Sequence, residues 1–333
     1  IVVLMVGNFS IVLLIKIEGS QPFFIKNSKG MNHFKHFFFF IASILLFNSC
    51  RDLVDTDIAD FGQVPVLNSI IIDGAPIEAH VSIASSLDTM QLEGIGNATV
   101  ELYEDSVFVE PMQYSGDGWF SSNHLAEAGK SYSLHLSIEG IGTVKANCTI
   151  PEPLGLVSFE HIPIAGKDDE GLTYPAISFT FENNPDEERY FEVCIRLFEE
   201  NNYEGNNYER NAYLGIITDP VLLNEGLPLM LFSNELMNDT EYTMTINYGT
   251  GSASSSSPGV WITNLYPLIL ELRSVSKEYY VFARQKYLYD TGRFPEFGLN
   301  AQTAFPLYSN VEGGYGIVAS YSKVATDTIY PTY

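Results

Sequence analysis

A period of two runs through this chain and constrains its fold more than any other feature. In "SYSLHLSI", Tyr132, Leu134, Leu136 and Ile138 fall on one side while Ser133, His135 and Ser137 fall on the other. "AISFTF" sets Ile177, Phe179 and Phe181 against Ser178 and Thr180. "YFEVCIRLF" sets Phe191, Val193, Ile195 and Leu197 against Glu192, Cys194 and Arg196, and "EYTMTINY" repeats the pattern with Tyr242, Met244, Ile246 and Tyr248. Successive side chains of a strand point to opposite faces, so such runs bury one face and wet the other. Turn-forming clusters separate them, among them "IDGAP", "SGDG", "EAGKS", "IEGIG" and "ENNPDEE". With strands recurring about every ten residues, the pattern predicts a mainly β protein of immunoglobulin-like or transthyretin-like sandwiches.

"CTIPEPLG" (148–155) reads as the joint between two such sandwiches, because Pro151 and Pro153 lack the N–H that a sheet ladder needs. The expected division is an N-terminal sandwich over 64–150 and a C-terminal one over 151–333. The second carries one predicted helix near 267–291. It would run from Pro267 in the first turn, through Leu268, Leu272, Val275, Tyr279 and Phe282, to Gly292 at its end. That apolar stripe is expected to pack on the sheet.

Ahead of the β region, "FFFFIASILLFNSC" (37–50) has the parts of an export signal. Met31 and Lys35 open a short basic region, and Phe37 to Phe47 form an apolar run too short to span a bilayer. Asn48 and Ser49 then precede Cys50. A cysteine at that place resembles the lipobox of bacterial lipoproteins, with Phe47 where Leu is commoner. The resemblance implies a signal peptide over 31–49 and a diacylated Cys50. Two or three acyl chains suffice to hold a protein at a membrane. Residues 1–30 read as translated sequence upstream of the signal, and 50–63 as an acidic tether.

Charge excludes one large class of function. The chain has 17 Lys and Arg against 41 Asp and Glu, and four of those cations but one of those acids precede Cys50. So acidic a protein lacks the Lys and Arg that neutralise phosphates, which excludes nucleic acid as a partner. It also disfavours adsorption to anionic lipid, leaving the acyl anchor to hold the protein. Once Cys50 is lipidated, Cys148 and Cys194 are left, either paired in an oxidising compartment or free and half-buried.

"GWF" (118–120), "GKSYSLHL" (129–136) and "CTIPEP" (148–153), followed by "SFTFENNPDEERYFEVCI", "LRSVSKEYYVFAR" and "FPLYSNVEGGYGIVASYS", resemble in their order a lipoprotein family of the Bacteroidota, domain of unknown function 4249. The resemblance spans nearly the whole chain after Cys50. It implies an outer-membrane lipoprotein, at the cell surface or on the periplasmic side, associated with TonB-dependent receptors. It supplies no catalytic residues.

The residues themselves offer a short set of candidates. Tyr203 and Tyr208, in the repeated "NNYE" of a polar loop, could stack on and hydrogen-bond a sugar or peptide, as could Tyr315 among the glycines of "SNVEGGYG". In that last segment the glycines either admit a ligand to the backbone or form a tight hairpin. Asp-Thr-Met, Asp-Ser-Val and Asp-Thr-Ile mark Thr89, Ser106 and Thr328 as candidates for O-glycosylation. "KDDEG" (167–171) and "NPDEER" (184–189) could offer oxygen ligands to Ca²⁺, but neither has EF-hand spacing, and solvated loop charge is the expected reading. His80, His124, His135 and His161 are too widely spaced for a metal site and are expected to be exposed. No nucleophile elbow or catalytic set is present, so no cofactor and no enzymatic activity are expected. The expected function is therefore an accessory binding module. The alternatives are a structural component of the envelope and a hydrolase with carboxylates assembled at the joint.

Overall fold

A computed structural model describes residues 63–84, 95–201, 206–257, 260–292 and 307–333, all within one compact unit spanning Ala59–Tyr333. The described residues are mainly strand. The first half holds β1 (Val64–Ile72), β2 (Pro76–Ala84), β3 (Ala98–Glu104), β4 (Val107–Pro111), β5 (Gln113–Gly116), β6 (Trp119–Leu125), β7 (Ser131–Ile138) and β8 (Gly142–Thr149). After the proline joint come β9 (Leu156–Lys167), β10 (Thr173–Glu182), β11 (Tyr190–Asn201), β12 (Asn206–Asn211) and β13 (Tyr213–Leu214). The short helix α1 (Pro220–Glu225) leads to β14 (Leu231–Ser233), β15 (Glu241–Gly249), β16 (Ala253–Ser257), β17 (Val260–Thr263) and β18 (Leu268–Val275). The long helix α2 (Lys277–Thr291) and β19 (Tyr315–Ala325) close the unit.

Two cores lie on either side of the joint. In the first, β1, β2 and β6 face β3, β7 and β8 across Leu67, Ile77, Val81, Leu102, Leu134 and Leu136. In the second, β10 and β15 face β11 and β18, and the alternating residues read from sequence are buried, Tyr242 only in part. Its aromatic centre joins Phe181 to Phe191, and Phe191 to Phe232, each pair with ring centroids 5.4 Å apart. Truncating any of these rings to Ala costs about 3–5 kcal/mol.

The joint does not divide the sheets as it divides the cores. One nine-stranded sheet runs β12-β11-β18-β19-β1-β2-β6-β5, with β14 also on β11, so it serves both halves. Its middle is a parallel pair, from Val66 opposite Tyr315 to Ile72 opposite Tyr321. The last strand therefore lies between the first strand and β18, and 64–150 and 151–333 are not separate sheet systems. Pairing between residues so far apart in sequence leaves no local signal. The other sheets run β4-β3-β7-β8, β13-β15-β10-β9 and β16-β17.

The predicted helix near 267–291 begins later than expected. Leu268–Val275 is strand β18, with Leu268, Leu270 and Leu272 inward, and the helix starts at Lys277. Apolar residues at 268 and 272 satisfy both a helical and a strand period, and burial on both sides of a central strand masks the alternation. The real start is Ser276, whose Oγ accepts from the Tyr279 N–H at 3.3 Å. Gly292 does end the helix, in the left-handed conformation at φ 62°. Tyr279, Tyr280 and Ala283 lay α2 on the outer face of the long sheet, over Tyr190, Val275 and Tyr321.

Candidate functional site: a cleft at the joint

Where the two halves meet, the chain leaves a cleft of about 440 Å³. Its walls come from the end of β8 and the proline joint, the 187–190 segment entering β11, and the start of α2. Four carboxylates line it, Glu152, Glu187, Glu188 and Glu278, together with Arg189 and Lys277.

Two of the acids are held in ion pairs. Arg189 donates to Glu187 Oε2 from Nε at 3.0 Å and from a terminal nitrogen at 2.8 Å, and also reaches the Glu152 carbonyl at 3.3 Å. Lys277 lies 3.2 Å from Glu188. Hydrogen bonds from Tyr190 and then Lys277 hold the Glu188 carboxyl below its usual range, which favours its charged form. The floor is rigid. Ser320 Oγ donates to the Thr149 carbonyl at 2.8 Å, and Asn310 exchanges both its amide bonds with Val318 while also donating to the Asn147 carbonyl at 3.2 Å. Sequence reasoning missed Ser276, Lys277 and Glu278 because it placed the helix start ten residues too early.

The structure scatters the sequence candidates. Tyr315 begins β19, 57 % exposed, opposite Val66 on the outer face of the long sheet. The same face bears Trp119, 47 % exposed, packed edge-on against His80 at 5.0 Å. Two of the glycines around Tyr315 have a packing reason. A Cβ on Gly316 would run into the Leu67 carbonyl and one on Gly314 into that of Pro65, so they let β19 enter beside β1. Ser106 is exposed at the tip of the β3–β4 hairpin, where both Asp105 and Ser106 take positive φ, the geometry of a type I′ turn. Thr328 is exposed in the closing segment, beside Ile329, which pairs with Leu268. Cys50, Thr89 and Tyr203 lie outside the described residues, as does the side chain of Tyr208 on β12.

The histidines are not the exposed side chains expected. Each is half-buried and packed on an aromatic ring: His80 on Trp119, His124 on Tyr132, His135 on Tyr103 and His161 on Tyr248. His161 Nε2 also lies 2.9 Å from the Tyr248 hydroxyl, and burial lowers its proton affinity. In "KDDEG", Asp168 Oδ1 accepts from the N–H groups of Glu170 and Leu172, which makes it a turn residue. Among the described residues no group of three or more His, Cys, Asp or Glu could hold a metal ion. Cys148 and Cys194 are free thiols on β8 and β11. Among the described residues no helix is long and apolar enough to cross a membrane.

The fold and cleft define a mainly β protein whose two cores share one sheet. Residues 51–327 match the family model described as "Domain of unknown function (DUF4249)". The chain belongs to that family. No curated protein matches it. Among solved structures it is similar to one described as a membrane-anchored protein from Corynebacterium diphtheriae, at 8 % identity and a TM-score of 0.21. That similarity covers 65 % of this chain, which spans about half (55 %) of the other.

Proposed function

We propose that the protein is a lipid-anchored outer-membrane component that acts by binding, as an accessory module to a TonB-dependent receptor. In this reading Cys50 carries the acyl chains, and each core with its facing strands is an immunoglobulin-like or transthyretin-like sandwich. The Tyr132 hydroxyl, which accepts from the Glu127 N–H at 2.9 Å five residues upstream, supports the immunoglobulin-like reading of the first half, since it resembles a tyrosine corner.

One observation carries the binding reading. Glu187 and Glu188 in the cleft pair with Arg189 and Lys277, and the Glu188 carboxyl is held below its usual range. A general acid needs a carboxyl whose proton affinity is raised. Exposed, paired charges of both signs instead suit recognition of a complementary surface.

The test is crosslinking in membranes of the native host, with a photoreactive residue at Asn147 on the cleft rim. Recovery of a TonB-dependent receptor, reduced in a Glu188→Gln variant, is the expected outcome. A receptor that is never recovered would sink the reading.

A further inference from the structure

The outer face of the sheet β4-β3-β7-β8 carries a second concavity, of about 540 Å³, away from the joint. Register sets its floor. Glu101, His135 and Lys145 stand directly opposite one another across β3, β7 and β8. The next row along the strands is Thr99, Ser137 and Thr143. Rows two residues apart share a face, so the six side chains form a grid spaced about 5 Å across the strands and about 7 Å along them. Glu312 and Gly313, from the segment that precedes β19, form the wall. Glu312 is bound to β8 by backbone bonds with Lys145 in both directions, at 2.8 and 3.3 Å, and its carboxylate lies 3.0 Å from the Lys145 ammonium. Gly313 sits close to the Thr143 carbonyl, 3.1 Å from where a Cβ would lie, and its φ of 83° favours glycine.

We propose that this groove binds a neutral oligosaccharide. The inference rests on the reading of the protein as a binding module and adds to it a second surface with its own ligand class. Among the described residues, no hydrogen bond within the chain engages the hydroxyls of Thr99, Ser137 and Thr143 or the imidazole nitrogens of His135. Each can donate and accept, which is what a polyol requires. Glu101 uses Oε2 to accept from the Tyr103 hydroxyl at 2.9 Å and has Oε1 left. Aromatic rings flank the polar grid: Tyr103 lies on His135 at 4.3 Å, and Phe108, 50 % exposed, meets Tyr103 edge-on at 5.5 Å. Rings beside hydrogen-bonding groups match the two surfaces of a pyranose, its C–H face and its hydroxyl rim. Charge argues against an anion, because Glu101 and Glu312 outnumber Lys145, whose ammonium is already paired. The volume lies within the usual range for small-molecule sites.

Calorimetry on the full chain in detergent tests the groove, with soluble hexasaccharides of glucose, mannose and xylose as probes. At least one should bind, and the Ser137→Ala/Thr143→Val double variant should weaken it by about tenfold or more. Both residues are exposed, and a Lys145→Gln variant gives a second reading should the double variant not fold. Binding that survives in the variants would place the sugar elsewhere and overturn the groove. Failure of all three sugars would overturn it as well. A chain that binds none of them yet still crosslinks the receptor loses this groove and keeps the accessory role. A chain that does neither loses both.

Discussion

Arg273 donates from Nε to Glu271 Oε1 at 2.6 Å, although the two residues belong to one strand. Two positions apart on β18 they share a face, the face that α2 partly covers. Glu271 is 1 % exposed and also holds Lys323 at 3.1 Å, while Arg273 reaches Glu192 at 2.7 Å. Arg273 further lies over the Tyr321 ring at 4.7 Å, so the network ties β11, β18 and β19 together at the seam of the two halves.

Removing Glu271 should therefore be costly. Glu271→Ala leaves the half-buried Arg273, which keeps Glu192, and the exposed Lys323 without their shared acceptor, and a loss of about 1–3 kcal/mol is expected by denaturant unfolding. Burial pushes this carboxyl up, but the bonds from Arg273 and Lys323 outweigh it and bring it below its ordinary 4.5. Stability from this group is thus fully present above pH 4.5 and drains away as pH falls through the lower folded value. Melting curves of the native protein and Glu271→Gln should differ most at neutral pH and converge in acid.

Arg284 anchors α2 at a second point. It pairs with the buried Glu225 carboxylate, which also accepts from Tyr280 at 2.5 Å and from the Ser233 N–H at 2.7 Å. Arg284→Ala leaves that acid without its cation. About 3 kcal/mol should be lost, with faster hydrogen exchange confined first to 277–291.

Burial pushes both thiols up, to about 12 for Cys148 and about 12 for Cys194. At neutral pH neither is a thiolate, and the thiolate is the reacting form. Cys148 and Cys194 should take up no iodoacetamide in native protein at pH 8, while in guanidinium both should take up label. Intact mass spectrometry reads both, and rapid native labelling would contradict the burial.

Among the described glycines, Gly316 makes the closest backbone approach and is the most sensitive to a single methyl group. At φ 122° an alanine is strained, and its Cβ meets the Leu67 carbonyl. Gly316→Ala should cost at least about 3 kcal/mol or prevent folding, whereas Gly140→Ala, positive in φ but in open space, should cost about 1 kcal/mol. Comparable melting temperatures for the two would refute the close approach.

What the sequence made legible was local. Phe191 to Leu197 and Tyr132 to Ile138 bury the residues their alternation selects, because a strand's two faces are written in consecutive positions. Gly292 was legible for the same reason. The joint cleft was not, since Glu188 and Lys277 meet only after β11 and α2 are placed. The oligosaccharide groove lay between these extremes. Ser133, His135 and Ser137 were visible as a polar face, but the rows that His135 and Ser137 form with Thr99, Glu101, Thr143 and Lys145 depend on register.

The parallel pairing of β1 with β19 also orders events in time. Asn68 accepts from the Ile317 N–H across 249 positions of chain, so the middle of the long sheet cannot close during synthesis of the first half. Until Tyr315–Ala325 arrives, β1 presents a bare edge and Val318 is missing from the first core. A chain cut short before that strand is a ready substrate for proteases and chaperones, and its closing segment becomes the checkpoint of its own maturation.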